Sequence, residues 1–211
     1  MPETVAAPAV TLHATAKLPS RHGNFLIQAY RVDDLPVEVA CLLMGDISAP
    51  EPPLVRLHSE CLTGDAFGSL RCDCGEQLAL AMELVAEEGR GVILYLRQEG
   101  RGIGLVNKIR AYALQDQGMD TLDANLALGL PADNREYASA AAVLRHLGAP
   151  RVRLMTNNLA KCRALEENGV AVEERIGLAV RPNPANLAYL DTKVRRMGHL
   201  IELLELDGRP A

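Results

Sequence analysis

The feature that most constrains the fold is a change of apolar period along the central part of the chain. Leu54–Leu57 and Gly91–Arg97 are short and almost continuously apolar, which is typical of strands buried on both faces. Between them Leu78, Met82 and Val85 recur at helical spacing. Because strands that alternate with helices pack as a layered sheet, the pattern predicts an α/β fold.

The remaining elements extend this alternation in both directions. We expect strands at Val10–Leu18, Phe25–Val32, Val37–Met44 and Val152–Thr156, a strand or strand pair at Val170–Val180, helices after Gly75, around Leu105–Ala113 and at Asn134–Leu147, Leu159–Asn168 and Asn186–Leu204, and irregular structure at Thr121–Leu130. The first three strands would form an antiparallel meander. The prediction is therefore a single α/β domain over residues 10–204, with a mixed β-sheet, an N-terminal antiparallel meander, flanking helices and flexible tails at 1–9 and 205–211.

The amino-acid composition excludes several classes of partner. The net charge of −5 argues against a protein that coats nucleic acid, because phosphate backbones require a basic face. With two Phe, five Tyr and no Trp, an aromatic platform for stacked bases is also not favoured. No apolar run is long enough to span a bilayer, and the N-terminus lacks a basic, apolar leader. We therefore expect a cytoplasmic protein with neither a nucleic-acid nor a membrane partner.

Three of the five cysteines lie in the predicted loop between a strand and a helix, spaced C-x10-C-x-C as Cys61, Cys72 and Cys74. In a reducing compartment, clustered cysteines indicate metal binding or catalysis more often than disulfides. Three thiolates bind zinc either in a structural site closed by a fourth protein ligand, for which His58 is nearest in sequence, or in a catalytic site open to water. Reduced cysteines without metal are the alternative, and that interpretation suits Cys41 and Cys162, which lie in an apolar strand and a helix.

Other candidate ligand-binding segments follow strands. Arg97–Gly104 contains three glycines that would allow a phosphate to approach the backbone, although a tight strand-to-helix turn explains them nearly as well. Thr156–Asn158, with Lys161 one turn later, stands where ligands bind in such sheets, but an asparagine that caps the helix is sufficient by itself. Asp133–Arg135 is similarly ambiguous.

Taken together, these residues closely resemble the GTP cyclohydrolase II family of riboflavin biosynthesis. The resemblance extends over roughly Leu12–His199 and is densest in five blocks. These are Arg56–Asp65, Ser69–Gly75, Arg97–Arg101, Asn107–Gly118 and Leu190–Lys193. It implies zinc-dependent hydrolysis of GTP that opens the imidazole ring at C8, releases formate and pyrophosphate, and gives 2,5-diamino-6-ribosylamino-4(3H)-pyrimidinone 5′-phosphate.

The resemblance also assigns roles to residues. Cys61, Cys72 and Cys74 would hold one zinc ion per subunit, with water in the fourth position, so that His58 becomes a neighbouring or nucleotide-facing residue. Asp133, Arg135 and Tyr112 would be catalytic; Arg135 would be either a nucleophile toward the α-phosphate or a phosphate stabiliser. The implied GTP contacts are Arg56, Leu57, His58, Ser59, Glu60, Gln77, Glu99, Gly100, Arg101, Thr121, Thr156 and Lys161.

The same resemblance implies Mg²⁺ on the triphosphate and a homodimer, and Glu99 would accept hydrogen bonds from guanine N1–H and its amino group. The rival hypotheses are a paralogue that retains the formyl group or serves a specialised metabolite pathway, and a non-catalytic guanine-nucleotide-binding zinc protein. The presence of Tyr112 favours the complete reaction.

Overall fold

The computed structural model describes residues 8–33, 38–131, 133–198 and 200. Its strands are β1 (Val10–Ser20), β2 (Gly23–Val32), β3 (Glu38–Met44), β4 (Leu54–Ser59), β5 (Gly91–Leu96), β6 (Arg151–Met155) and β7 (Ala171–Ile176). Its helices are α1 (Leu62–Asp65), α2 (Cys74–Glu88), α3 (Gly104–Gln115), α4 (Thr121–Ala127), α5 (Ala138–His146), α6 (Leu159–Glu167) and α7 (Leu187–Met197). None of these described helices combines the length and apolarity needed to cross a membrane.

The strands form one mixed sheet in the order β1-β2-β3-β5-β4-β6-β7. The first three strands are an antiparallel meander, and β3 continues the antiparallel pairing onto β5. From β5 onward the pairs β5–β4, β4–β6 and β6–β7 are parallel. The predicted α/β fold, with a mixed sheet, an N-terminal meander and flanking helices, is confirmed.

Burial along the strands explains this arrangement. β4 and β5 are buried along nearly their whole length because helices cover both faces, whereas the edge strand β1 is mostly exposed. On one face, Ile93 packs with Val85 of α2. On the other face, Leu57 and Leu94 pack with the alanine-rich helix α5. The central parallel strands are thus fixed between two apolar layers, and their carboxyl ends provide a rigid base for a site.

Two predicted elements were wrong. Thr121–Leu130 is not irregular, since it contains α4, whose start is capped by Asp120 accepting from the backbone N–H groups of Leu122 and Asp123. Helix α5 begins at Ala138, not Asn134. The chain before it has no regular secondary structure, and the Asp133 carboxylate there binds Arg135 instead of capping a helix.

The C-terminal prediction was too long where the structure tests it. Helix α7 ends at Met197, and the left-handed Gly198 follows it. Residues 201–204 of the predicted helix, the C-terminal tail, and residues 1–7 of the N-terminal tail lie outside the described residues.

Candidate active site

A pocket opens at the carboxyl ends of the parallel strands β4, β5 and β6, where ligands bind in open α/β sheets. β4 delivers the chain to Cys61, β5 delivers it to the glycine turn 98–104, and β6 delivers it to Thr156–Asn158. The lining is Arg56, His58, Ser59, Glu60, Cys61, Cys72, Cys74, Gln77, Glu99, Gly100, Arg101, Ile103, Lys108, Ala111, Tyr112, Gln115, Asn125, Arg135, Thr156, Asn157, Asn158, Lys161, Tyr189 and Lys193.

Three sulfurs converge in one part of this pocket, which we call the metal end: those of Cys61, Cys72 and Cys74. The Sγ atoms of Cys61 and Cys72 are 3.6 Å apart, and those of Cys61, Cys72 and Cys74 all lie within 4.8 Å of one another. Sulfurs about 2.3 Å from a tetrahedral zinc lie roughly 3.8 Å apart, so this donor set fits the ion. A Cβ on Gly64 would lie 2.9 Å from the Cys72 sulfur, which explains a glycine at that position.

The thiols are electrostatically coupled. Hydrogen bonds from Cys72 and Cys74 lower the pKa of the Cys61 thiol, and the ammonium of Lys108 adds to this effect. The hydrogen bond with Cys61 raises the pKa of Cys72 to about 11, and the pKa of Cys74 is also raised, first by its contact with Cys61. Three thiols this close together, with the pKa of one of them lowered, are an arrangement that a divalent cation completes, because it displaces their protons.

His58, the nearest fourth ligand by sequence spacing, does not join the sulfur cluster. It lies on β4, and its Nε2 is 3.0 Å from both carboxylate oxygens of Asp65. Asp65 also accepts from the backbone N–H of Cys61 at 3.0 Å and from the Tyr95 hydroxyl at 2.9 Å. Burial lowers the pKa of His58. The imidazole therefore helps to orient the carboxylate that supports Cys61.

Two buried ion pairs hold the cysteine-bearing segment 61–74, which we call the metal loop. Lys108 Nζ lies 2.7 Å from Glu99 Oε1 and 3.1 Å from the Cys61 sulfur. At the other end of the metal loop, Lys193 Nζ of α7 lies 2.6 Å from Asp73 Oδ1. The Lys193 pair reaches 120 residues along the chain, so α7 is part of the site.

A polar relay connects the metal loop to Arg56, which also lines the pocket. Asp73 Oδ2 accepts from Gln77 Nε2 at 2.5 Å, and Gln77 Oε1 accepts from Arg56 Nη2 at 2.7 Å. Arg56 Nη1 donates to the carbonyl of Met155 at 3.1 Å. The relay fixes the guanidinium of Arg56 without neutralising its charge.

Two buried cations of the pocket, which we call its phosphate end, have no carboxylate partner among the described residues. Arg56 is 5% exposed and Lys161 is 4% exposed. Lys161 Nζ donates to the carbonyl of Leu57 at 2.7 Å. Burial, followed by repulsion from Arg56 and Arg135, holds the pKa of Lys161 well below its usual value. Such uncompensated charge is costly, and an anionic ligand would offset it.

In the glycine turn 98–104, the backbone N–H groups of the three glycines are not free to bind a phosphate, although the sequence had suggested that they would be. The N–H groups of Gly100, Gly102, Ile103 and Gly104 are all bonded within the turn. Gly102 is left-handed, and a Cβ there would lie 2.6 Å from the carbonyl of Asn134, whose own N–H donates to Arg101 at 2.9 Å. The turn therefore supports the segment that carries Asp133 and Arg135.

Arg101 is the non-glycine residue of this turn with a positive φ, 63°, and its Nη1 is buried without a hydrogen-bond partner among the described residues. Left-handed backbone in an arginine is strained, and such strain is concentrated at functional sites. The side chain lines the pocket. This guanidinium nitrogen, in the same pocket as Arg56 and Lys161, adds a third group suited to phosphate oxygens.

Asp133 and Arg135 form a forked pair at the rim. Arg135 Nε donates to Asp133 Oδ1 at 2.8 Å, and Nη2 donates to Oδ2. Burial opposes the charged forms of both, but the hydrogen bonds prevail, lowering the pKa of Asp133 and raising that of Arg135. Arg135 lines the pocket, whereas Asp133 is not among its lining residues.

Tyr112 of α3 lies beside the sulfur cluster. Its hydroxyl is 3.5 Å from Thr63 Oγ1, which is itself 3.6 Å from the Cys61 sulfur. The guanidinium of Arg71 lies over the ring, 4.5 Å from its centre. Burial raises the pKa of Tyr112, so the phenol keeps its proton at neutral pH. A neutral hydroxyl placed here is suited to donate a hydrogen bond to a reacting oxygen.

Most residues predicted for the site line this pocket, with three exceptions. Leu57 contributes its carbonyl to Lys161 from beneath the pocket, Asp133 is outside the lining, and the side chain of Thr121 is outside the described part of the structure. Sequence reasoning missed Lys108 and Lys193 as site residues. Both lie inside blocks that carry the family resemblance, Asn107–Gly118 and Leu190–Lys193. Membership of these blocks was the sequence feature that could have identified them as site residues.

Comparison with known proteins gives a consistent result. The family model described as GTP cyclohydrolase II matches residues 11–177. The chain is 54% identical to the GTP cyclohydrolase-2 of Actinobacillus succinogenes, over 88% of this chain and 86% of that protein. It is likewise 54% identical to the GTP cyclohydrolase-2 of Haemophilus influenzae, over 91% and 89% respectively.

Longer relatives also match. The chain is 58% identical to the riboflavin biosynthesis protein RibBA of Salinispora tropica over 91% of its own length. It spans 48% of that protein, about half. Among solved structures, RibBX from A. baumannii, a two-domain 3,4-dihydroxy-2-butanone 4-phosphate synthase, is similar with a TM-score of 0.47 and 17% identity, over 81% of this chain and 40% of that one.

Proposed function

This chain belongs to the GTP cyclohydrolase II family, and from that premise we propose that it hydrolyses GTP in riboflavin biosynthesis. The proposed products are formate, pyrophosphate and 2,5-diamino-6-ribosylamino-4(3H)-pyrimidinone 5′-phosphate. One observation carries the proposal: a sulfur cluster fit for a metal shares its pocket with buried cations that have no carboxylate partner in the described part of the chain. A pocket that holds both a metal site and anion-binding groups suits a nucleotide whose base and phosphates both react.

At the metal end, Cys61, Cys72 and Cys74 would hold one zinc ion per chain. When bound, zinc would lower the pKa of a water molecule and so supply a nucleophile for guanine C8 near neutral pH. Tyr112, as a neutral phenol, would donate a hydrogen bond to the oxygen of the ring-opened formyl group. C8 leaves as formate after a second hydrolysis.

At the phosphate end, Arg56, Arg101 and Lys161 would bind the triphosphate. Gln77 would hold the Arg56 side chain, and Thr156 would add a further contact to the nucleotide. Arg135 would stabilise charge on the α-phosphate as pyrophosphate leaves. Its raised pKa and its fork on Asp133 favour this role over attack as a nucleophile, because a guanidinium has no free lone pair. Mg²⁺ on the phosphates would neutralise charge on the leaving group.

The subunit arrangement and location are separate proposals. A homodimer is the family expectation, and it is supported by an exposed apolar stripe on α3 formed by Leu105, Val106 and Ile109. Sedimentation velocity of wild type and Val106→Glu tests it: the variant should sediment as a monomer. A cytoplasmic location stays a prediction.

The decisive experiment incubates the purified chain with GTP and Mg²⁺ and measures formate, pyrophosphate and product absorbance together. Equal amounts of formate and pyrophosphate support the complete reaction. Pyrophosphate without formate would instead identify a paralogue that retains the formyl group. Zinc-loaded protein that binds GTP and releases neither product would reject the enzymatic proposal.

A further inference from the structure

The carboxylate of Glu99 is already committed inside the protein. Oε1 accepts from Lys108 Nζ at 2.7 Å and from the backbone N–H of Gly100 at 2.8 Å, and Oε2 accepts from the backbone N–H of Leu62 at 2.7 Å. A carboxylate has about four acceptor positions, so one position on Oε2 is left. Most of the hydrogen-bonding capacity of Glu99 is therefore used by the protein itself.

Lys108 is equally committed. Its side chain comes from the second turn of α3 and is 9% exposed. The ammonium donates to Glu99 and, at 3.1 Å, to the sulfur of Cys61. Among the described residues, no other cationic side chain is hydrogen-bonded to any of the three clustered sulfurs. The three sulfurs are thus not equivalent.

Glu99 also fixes Cys61 from a second direction. Leu62 directly follows Cys61, so the hydrogen bond from its N–H anchors the backbone beside the sulfur, while the same carboxylate aims Lys108 at that sulfur. The Glu99 side chain therefore fixes the backbone beside Cys61 and also orients Lys108, which donates to the Cys61 sulfur. Such support is characteristic of groups that orient a metal ligand.

From these contacts we infer that Glu99 and Lys108 are positioning residues for Cys61. Lys108 donates a charge-assisted hydrogen bond to the sulfur and withdraws negative charge from it. A metal held by that sulfur receives less electron density and is a stronger Lewis acid. The inference rests on the proposed function for its effect on turnover, but its structural part concerns the sulfur alone.

Cobalt(II) in place of zinc gives a direct measurement, because thiolate-to-cobalt charge transfer absorbs in the near ultraviolet. Lys108→Met should move this band to longer wavelength, since the sulfur electrons lose the hydrogen bond that holds them. Lys108→Arg, which keeps a cationic donor, should restore the wild-type band in part or in full. Arg110→Met is the matched control, because Arg110 lies on the same helix and is exposed.

Turnover gives the second readout. Lys108→Met should lower kcat by about 10- to 100-fold with little change in KM for GTP. Glu99→Gln keeps the lysine but removes its anchor, so a smaller shift of the band and a smaller loss of kcat are expected. This variant also carries the test if Lys108→Met does not fold.

Two results would overturn the inference: an unchanged band in cobalt-loaded Lys108→Met and Glu99→Gln, or a raised KM with unchanged kcat, which would return both residues to nucleotide binding. A wild-type chain that binds cobalt but never releases formate would reject the proposed function. In that case the charge-transfer bands still decide the role of Lys108.

Discussion

The two ends of the pocket are both buried and both rich in cations, yet they balance charge in opposite ways. At the metal end, Lys108 and Lys193 each have a carboxylate within 2.7 Å. At the phosphate end, Arg56 and Lys161 have none among the described residues. Paired buried charges hold a structure together, and breaking a pair is costly. Unpaired buried charges lower the stability of the fold, and a ligand of opposite charge would offset this cost.

The largest expected effect is at the metal end. Cys72→Ser should lose the metal and all detectable release of formate, because two remaining sulfurs do not make the site described above. Zinc content by plasma emission spectrometry and a formate assay measure both. Cys162→Ser is the control, since Cys162 is a partly exposed thiol on α6, outside the cluster. A full zinc equivalent in Cys72→Ser would show that the ligand set is wrong.

The next effect tests the paired side of the comparison. Lys193→Met leaves Asp73 buried at 1% exposure without its cation, so the free energy of unfolding should fall by about 3–5 kcal/mol. Urea titration of the metal-free chain at pH 7 measures this. A double variant, Asp73→Asn with Lys193→Met, should recover part of the loss. A single variant as stable as wild type would mean that the pair does not hold α7 to the metal loop.

Lys161→Met, on the unpaired side, should change stability in the other direction. Removal of an unpaired buried charge should raise the free energy of unfolding by about 1 kcal/mol, while affinity for a non-hydrolysable GTP analogue should fall roughly 100-fold. Calorimetry and urea titration give the two numbers. If Lys161→Met and Lys193→Met both destabilise, the distinction between the two ends fails.

The lowered pKa of Lys161 adds a pH dependence with a definite sign. Between its folded pKa and the ordinary lysine value the unfolded chain binds more protons, so this group makes stability rise with pH in that window. Lys161→Met should remove that slope. Because bound phosphate favours the ammonium, analogue binding in the same window should take up protons, which calorimetry in buffers of different ionisation enthalpy detects.

The fold was predictable to the extent that it follows local periodicity. The continuous apolar runs at β4 and β5 predicted strands that are covered on both faces, and both segments are buried strands in the structure. Helix α4 was missed although its signal was present, since Asp120 has the side chain of an N-cap. The early start predicted for α5 has a different cause: Asp133 resembles a cap, but its carboxylate is bound by Arg135.

The site was predictable only where a residue acts through its own chemistry. Three clustered cysteines indicate a metal by themselves. The roles of Lys108, Lys193 and Glu99 depend on tertiary partners, up to 120 residues away, and no local pattern states which charge will meet which. The pairing that distinguishes the two ends of the pocket is therefore a property of the fold, not of any motif.

The smallest effect is expected at the rim of the pocket, where Asp133 pairs with Arg135. Asp133→Asn removes a pair whose carboxylate is 37% exposed, so stability at pH 7 should fall by less than about 1 kcal/mol. Because the folded pKa of Asp133 is lowered, its contribution is present above the unfolded value and is lost as pH falls through the folded one, below about pH 4. The difference in stability between wild type and Asp133→Asn should therefore shrink as urea titrations are taken from pH 7 to below about pH 4. A loss of several kcal/mol at pH 7 would instead place Asp133 with the buried pairs of the metal end, and unchanged kcat for pyrophosphate release would remove it from the catalytic set.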